Sequence, residues 1–322
     1  MEERIPVEAA KTVEYSSLQT NDFDELGEAA SGWDLEYCQL SSGPFEGSIE
    51  VVQIGSKQVS RERWGRKLRY QGTAPPGTFA FAVPLRQPDT ASWVGMPAGR
   101  DDIVVQAPDQ EAHLVSAETF NMLVFCIPED EVQSIVATLA GDQDISFRAH
   151  DVVALKPDIA DSLRQAGNHI IEGSRAPTGH EKQALSQWSD QIVKLLLCEM
   201  LESKDNGEIL VRPASSVRLV SRATDLVLAE ETGCIGLTDI CARLGVSLRS
   251  LHYAFQDCTG MSPATYLRAL RLNLVHRILL RSEPGEILVK QAALDNGFYH
   301  LGHFTSQYRS LFGCTPSQTL RS

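Results

Sequence analysis

The last third of the chain carries an approximate internal duplication, and no other feature limits the fold so tightly. One unit reads LTDICARLGVSLRSLHYAFQDCTGMSPATYL from Leu237, and the other reads LVKQAALDNGFYHLGHFTSQYRSLFGCTPSQTL from Leu288. Each has a short amphipathic helical pattern, a turn glycine (Gly245, Gly297), and a second helix ending at an aromatic (Phe255; Phe312, with Tyr308 a turn earlier). A Gly-x-x-Pro then closes each unit, at Gly260–Pro263 and Gly313–Pro316. Glycine supplies the positive φ that a three- or four-residue connection between crossing helices demands. Two such units in tandem are far more specific than one helical hairpin. The stretch between them, about 264–280, places Leu267, Leu270, Leu274 and Ile278 at helical spacing beside Arg268, Arg271, Arg277 and Arg281. That predicts a connecting helix with its apolar stripe on both units and its arginines outward. A stiff connector of this length would hold the two second helices near the ~34 Å repeat of the major groove on one face of B-DNA.

Charge is split along the chain in a way that agrees. The whole sequence has a net charge of −13, which argues against a nucleic-acid partner only if the charge is evenly spread. Before Pro213 there are 18 Lys and Arg against 34 Asp and Glu; from Pro213 onward the counts are 11 and 8. Four of the eight histidines, His252, His276, His300 and His303, also fall in the C-terminal part. An acidic body joined to a mildly basic end raises the expectation of a DNA-binding module.

At 322 residues the chain is roughly twice the ~150 residues of a typical domain. Residues 33–127 read as short strands: 33–40, 49–54, 68–71, 79–85, 103–106 and 120–127, separated by turn chemistry such as Ser42-Gly43-Pro44 and Ala74-Pro75-Pro76-Gly77. That spacing predicts a sandwich or small barrel. From Pro128 the period changes to helical, with Ile159, Leu163, Ala166 and Ile170 on one face and Leu185, Trp188, Ile192 and Leu195 on another. The second seam reads as an internal packing face, with a dimer helix as the functional alternative. Residues 203–213 are polar, contain Asn206-Gly207, and read as a linker. The longest apolar run, Met122 to Ile127, is far short of a membrane span, and the acidic N-terminus lacks the apolar core of a secretory signal. Seven cysteines without regular spacing argue for a reducing, cytoplasmic setting.

The C-terminal residues resemble the DNA-binding domain of AraC/XylS-type bacterial transcription regulators. The resemblance runs from about Ser216 to Leu320, a third of the chain. It rests on Gly297-Phe298, His303-Phe304, Phe312-Gly313 and Thr315-Pro316-Ser317 in the second unit. In the first unit it rests on Ala242, Leu244-Gly245-Val246-Ser247, Leu251, Phe255, Met261-Ser262-Pro263 and Arg271-Leu272. The resemblance implies an α+β chain in three parts. These are a β-rich, cupin-like effector-sensing domain over 20–140, a helical dimerisation segment and linker over 141–212, and an all-α domain with two helix-turn-helix units over 213–322. It also implies a sequence-specific DNA-binding regulator, an activator under a small-molecule effector, with double-stranded DNA, RNA polymerase and a second copy of the chain as partners. It implies neither a cofactor nor catalysis.

Position by position, the resemblance places DNA contacts on Arg249, Ser250, His252 and Tyr253 in the first unit, and on Leu301, Gly302, His303, Thr305 and Ser306 in the second, with Arg309 at the backbone. Arginine can bond guanine bidentately and histidine can donate to an acceptor, so the first set suits base readout. Leu301 offers only an apolar contact and Gly302 no side chain, so the second unit is expected to position more than it specifies. In the β-rich part, Trp64, Tyr70, Phe79, Phe81 and Trp93 are the candidate effector-binding residues, since aromatic-lined barrel mouths suit small ligands. The basic cluster Arg61, Arg63, Arg66, Lys67 and Arg69 offers either an anion-attracting patch or a solvated strand face. No metal-ligand set stands out: His113 is the only histidine of the β region, and His300-x-x-His303 has no carboxylates beside it. Two alternatives remain open at this point, a cupin-type metalloenzyme with an appended helical domain and an effector-independent repressor.

Overall fold

The computed structural model describes residues 12–85, 91–93, 96–140, 151–205, 209–210, 214–229, 235–283 and 285–321. Cys234 and parts of the expected linker, 206–208 and 211–213, lie outside the described residues. The N-terminal half runs β1 (Val13–Thr20), α1 (Phe23–Ala29), β2 (Asp34–Gln39), β3 (Gly47–Ile54), β4 (Lys57–Trp64) and β5 (Leu68–Thr73). It continues with β6 (Thr78–Pro84), β7 (Ala91–Trp93), β8 (Met96–Ala98), β9 (Asp102–Gln106), β10 (Ala112–Val115) and β11 (Phe120–Pro128). After α2 (Glu129–Ala140) come β12 (Val152–Ala154), α3 (Pro157–Gly173), α4 (Gly179–Asp205) and β13 (Ile209–Leu210).

The strands form two antiparallel sheets. One has the order β1-β3-β4-β11-β6-β9-β12-β13 and the other β2-β5-β10-β7-β8. β1 begins ahead of residue 20, and β12 and β13 extend the larger sheet from within the segment expected to be helical. β4 was not among the expected strands. Its Arg61, Glu62 and Arg63 disguise a plain alternation in which Ser60, Glu62 and Trp64 turn inward while Val59 joins the helical side.

The two-residue period divides the larger sheet between two cores. Ile49, Val51, Trp64, Ala80, Val104, Met122 and Val124 face the second sheet. Val52, Val59, Phe79, Phe81, Val83, Leu123 and Phe125 face a layer made by α2, α3 and α4. In that layer Leu185 and Ile192 of α4 are buried, but Trp188 and Leu195 are 42% and 37% exposed, so the anticipated seam is only half internal.

The described elements of the C-terminal part are all helices: α5 (Ala214–Leu228), α6 (Leu237–Leu244), α7 (Leu248–Thr259), α8 (Pro263–Arg281), α9 (Val289–Asp295), α10 (Leu301–Phe312) and α11 (Pro316–Thr319). The repeated glycines and prolines act as helix punctuation. Gly245, Gly260 and Gly313 cap helices in the left-handed region at φ 68°, 68° and 79°. Pro263 and Pro316 then open the next helices, behind Ser262 and Thr315 as N-caps. The buried residues of both units, among them Leu251, Phe255, Tyr266, Leu270, Phe304 and Phe312, belong to the same continuous core as the inward faces of the sheets.

Candidate nucleic-acid interface and effector cavity

In the first helix-turn-helix unit, Ser247 caps α7 by accepting from the Ser250 amide at 3.1 Å, and their hydroxyls lie 2.9 Å apart. Below that cap, Leu251, Ala254, Phe255 and Cys258 face the core. The three- and four-residue spacing therefore turns Arg249, Ser250, His252 and Tyr253 to solvent. Tyr253 is 68% exposed, and Arg249 makes no hydrogen bond or ion pair among the described residues. In the second unit Phe304, Tyr308, Leu311 and Phe312 are buried. Gly302, His303, Thr305, Ser306 and Arg309 are exposed, while Leu301 is half-buried against the core. The Thr305 hydroxyl donates back to the Leu301 carbonyl at 3.0 Å. Gly302 has open space where a Cβ would stand. Exposed Leu248 and Tyr299 flank the two helix starts and were not singled out from the sequence.

The opposite ends of both recognition helices are tied to the β-rich part. Lys67 Nζ donates to the Thr259 carbonyl at the end of α7, at 2.9 Å. The Gly43 amide donates to the Ser310 and Leu311 carbonyls at the end of α10, at 2.9 and 3.0 Å. Gln39 Nε2 adds a bond to the Leu311 carbonyl at 2.6 Å. These bonds satisfy carbonyls that a helix C-terminus leaves without partners, and Lys67 adds a cation where the helix dipole favours one.

The connecting helix α8 departs from expectation. Arg268 and Arg281 are exposed, but Arg271 donates to the Ile235 carbonyl at 2.8 Å, and Arg277 turns inward. Arg277 Nε bonds Asp24 at 3.0 Å, and Nη1 bonds Glu36 Oε1 at 2.7 Å. Burial alone would raise the Glu36 carboxyl, but the Arg277 hydrogen bond and the nearby Arg69 charge hold it below its usual range. Fully buried Asn273, a turn earlier, donates to the Gln39 carbonyl and accepts from the Gln39 amide, both at 2.9 Å. Between them His276 stacks on Phe312 with centroids 4.1 Å apart, and Phe23 of α1 packs against both. Burial holds the His276 imidazole down at about 4.

A cavity of about 40 Å³ lies between the two sheets. Tyr70 and Trp93 line it, together with Trp33, Phe120, Ala80, Ala82 and Glu62. Of the other aromatic candidates, Trp64 is buried beside it and donates from Nε1 to Glu62 Oε2 at 3.1 Å. Phe79 and Phe81 lie on the far face of β6 against the helical layer, because alternation sends them outward and Ala80 and Ala82 inward. Glu62 is 4% exposed, and burial raises its carboxyl to about 7 despite the bonds from Trp64 and Tyr37. The basic cluster disperses. Arg61 pairs with Glu50, Arg69 is buried beside Cys38, and Lys67 reaches α7. Among the described residues no group of three or more His, Cys, Asp or Glu side chains converges as a metal site would need.

Paired helix-turn-helix units with solvent-facing recognition helices, carried on a β-rich body with an internal cavity, define the architecture of a DNA-binding transcription regulator. A family model described as a helix-turn-helix domain matches residues 240–322. The XylDLEGF operon transcriptional activator 3 of Pseudomonas putida is 32% identical over 288 residues, 87% of this chain and 83% of its own length. The probable thc operon regulatory protein of Rhodococcus erythropolis is 33% identical over 104 residues, 32% of this chain and only 31% of that protein. The crystal structure of the AraC-like transcriptional activator CuxR superposes with a TM-score of 0.42 at 15% identity, covering 80% of this chain and 94% of that one. The chain belongs to the AraC/XylS family of transcription regulators. No described helix is long and apolar enough to cross a membrane.

Proposed function

We propose that this protein is a cytoplasmic, homodimeric transcription activator whose promoter binding is governed by a small molecule held between its two sheets. The observation that carries the reading is the mounting of the recognition helices. Their starts face solvent, and their C-terminal ends are bonded to the body that contains the cavity. A ligand that favours one packing of that body therefore shifts how α7 and α10 are presented, provided it binds one state better than the other. The names of the relatives, activators and operon regulators, support this direction of control. For the dimer contact we assign the exposed face of α4 bearing Trp188 and Leu195. RNA polymerase is the further partner an activator requires.

In this reading Arg249, His252 and Tyr253 read bases, Ser250 orders the start of α7, and Arg309, Thr305 and Ser306 hold the phosphate backbone. Leu301, Gly302 and His303 form the shallow floor of the second contact. A fluorescence-anisotropy titration on a fragment from upstream of the gene tests it. Arg249→Ala is expected to cost about 1–3 kcal/mol and relax specificity, while Arg309→Ala weakens binding to all sequences alike and lowers the salt slope by about 1. Unchanged affinity and sequence preference in both variants would remove these helices from the readout.

A further inference from the structure

The cavity between the sheets has an unusual polar inventory. Among the described residues its lining includes a carboxyl, Glu62, and no Lys, Arg or His. Tyr70 spends its hydroxyl hydrogen on Gln106 Oε1 at 2.9 Å, and Gln106 Nε2 is committed to the Gly72 and Gln110 carbonyls, each at 2.8 Å. Tyr37 and Trp64 both donate to Glu62 Oε2, at 3.2 and 3.1 Å. Both of these bonds fall on Oε2, and the buried Trp93 indole N–H of the same lining has no hydrogen-bond partner among the described residues. Around it Trp33 and Tyr70 meet edge to face at 6.5 Å, and Tyr70 and Trp93 stack at 6.4 Å. An apolar core gains nothing from a buried carboxyl, which costs several kcal/mol unless it is paired. Two donors fixed on one oxygen hold the group in place and leave the other oxygen open.

We propose that the cavity takes a compact organic ammonium, with its nitrogen against Glu62 Oε1 and its carbon body among the rings of Trp33, Tyr70, Trp93 and Phe120. This rests on the reading of the cavity as the effector site. The ammonium gives Glu62 Oε1 a hydrogen-bond donor and favours the ionised carboxylate. The ring faces attract the same positive charge through their quadrupoles. A carboxylate ligand would meet like charge, with no cation among the described lining residues to receive it. Size is also set: a cavity of about 40 Å³ offers room on the order of three waters at ~10–15 Å³ each, which suits a short alkyl chain.

Thermal unfolding of the full chain at mildly alkaline pH and constant ionic strength tests this with three probes of one shape: n-propylamine, 1-propanol and propionate. The midpoint should rise most with propylamine, less with propanol and not with propionate. Glu62→Gln should lose the propylamine shift, about a tenfold or greater loss of affinity, while keeping the propanol shift as the sign of an intact cavity. Glu62→Asp, which keeps the charge but withdraws it, should weaken the propylamine shift without removing it. A propionate shift as large as that of propylamine, a propylamine shift that survives in Glu62→Gln, or no shift from any probe overturns the proposal. Titration of promoter DNA with the same preparations separates the two claims. DNA binding that depends on Arg249 while no amine binds leaves the regulator reading standing and removes the ligand class.

Discussion

Glu62 and His276 are both enclosed, and burial displaces their titrations in opposite directions. Glu62 is raised from an ordinary 4.5 to about 7, so the folded chain keeps a proton that the unfolded chain loses. Its contribution is complete below about pH 4.5 and is lost as pH rises to 7. His276 is lowered from 6.5 to about 4, so its contribution is complete above about 6.5 and is lost as pH falls toward 4. Each slope is at most about 1.4 kcal/mol per pH unit, and between pH 4.5 and 6.5 the two oppose each other. Urea midpoints measured across this range should therefore be flatter in the wild type than in either variant. Glu62→Gln should show stability rising with pH from 4 to 6.5, and His276→Phe should show it falling from 4.5 to 7. Parallel profiles for all three proteins would mean that neither group titrates as placed here.

At the scale of elements, the helix ends divide into those that stand alone and those that make contacts. Gly245 has nothing within 4 Å of where a Cβ would lie, so Gly245→Ala should cost only its left-handed φ, about 1 kcal/mol. Gly313 has the same backbone, but a Cβ there would come within 3.0–3.2 Å of Pro44. Gly313→Ala should cost more, and amide exchange should rise at 42–45 as well as in α10. Equal losses in chemical denaturation, with no change at 42–45, would contradict the docking of that helix end. The contrast also explains what could be read in advance. Helix starts and stops depend on neighbours in sequence, so Gly260, Ser262, Pro263 and their counterparts at Gly313, Thr315 and Pro316 announced the paired units. The inward turn of Arg277 depends on Asp24 and Glu36, which lie more than two hundred residues away, and no local pattern carries that. Phe79 and Phe81 were misplaced for another reason. Their hydrophobicity is conspicuous, but the small alternating Ala80 and Ala82 are what leave space for a cavity.

For the whole molecule, the decisive feature is that one of the two apolar cores runs without a break from between the sheets into both helix-turn-helix units. The net negative body and mildly basic reader are electrostatically distinct, yet they are joined by Asn273, Gln39, Arg277 and the Phe23–His276–Phe312 stack. Calorimetry should accordingly show one unfolding transition. Asn273→Ala, which strands the buried Gln39 amide and carbonyl, should cost about 1–3 kcal/mol and broaden or split that transition. Two separate transitions in the wild type would show that the core does not couple the parts. Continuity of this kind also bears on engineering. A hybrid gene joining residues 214–322 to a foreign sensor would present an apolar surface shaped for Phe23 and Gln39 with no counterpart to receive it. Such a hybrid should aggregate unless that footing is transplanted along with the reader, so this regulator is not an interchangeable cassette.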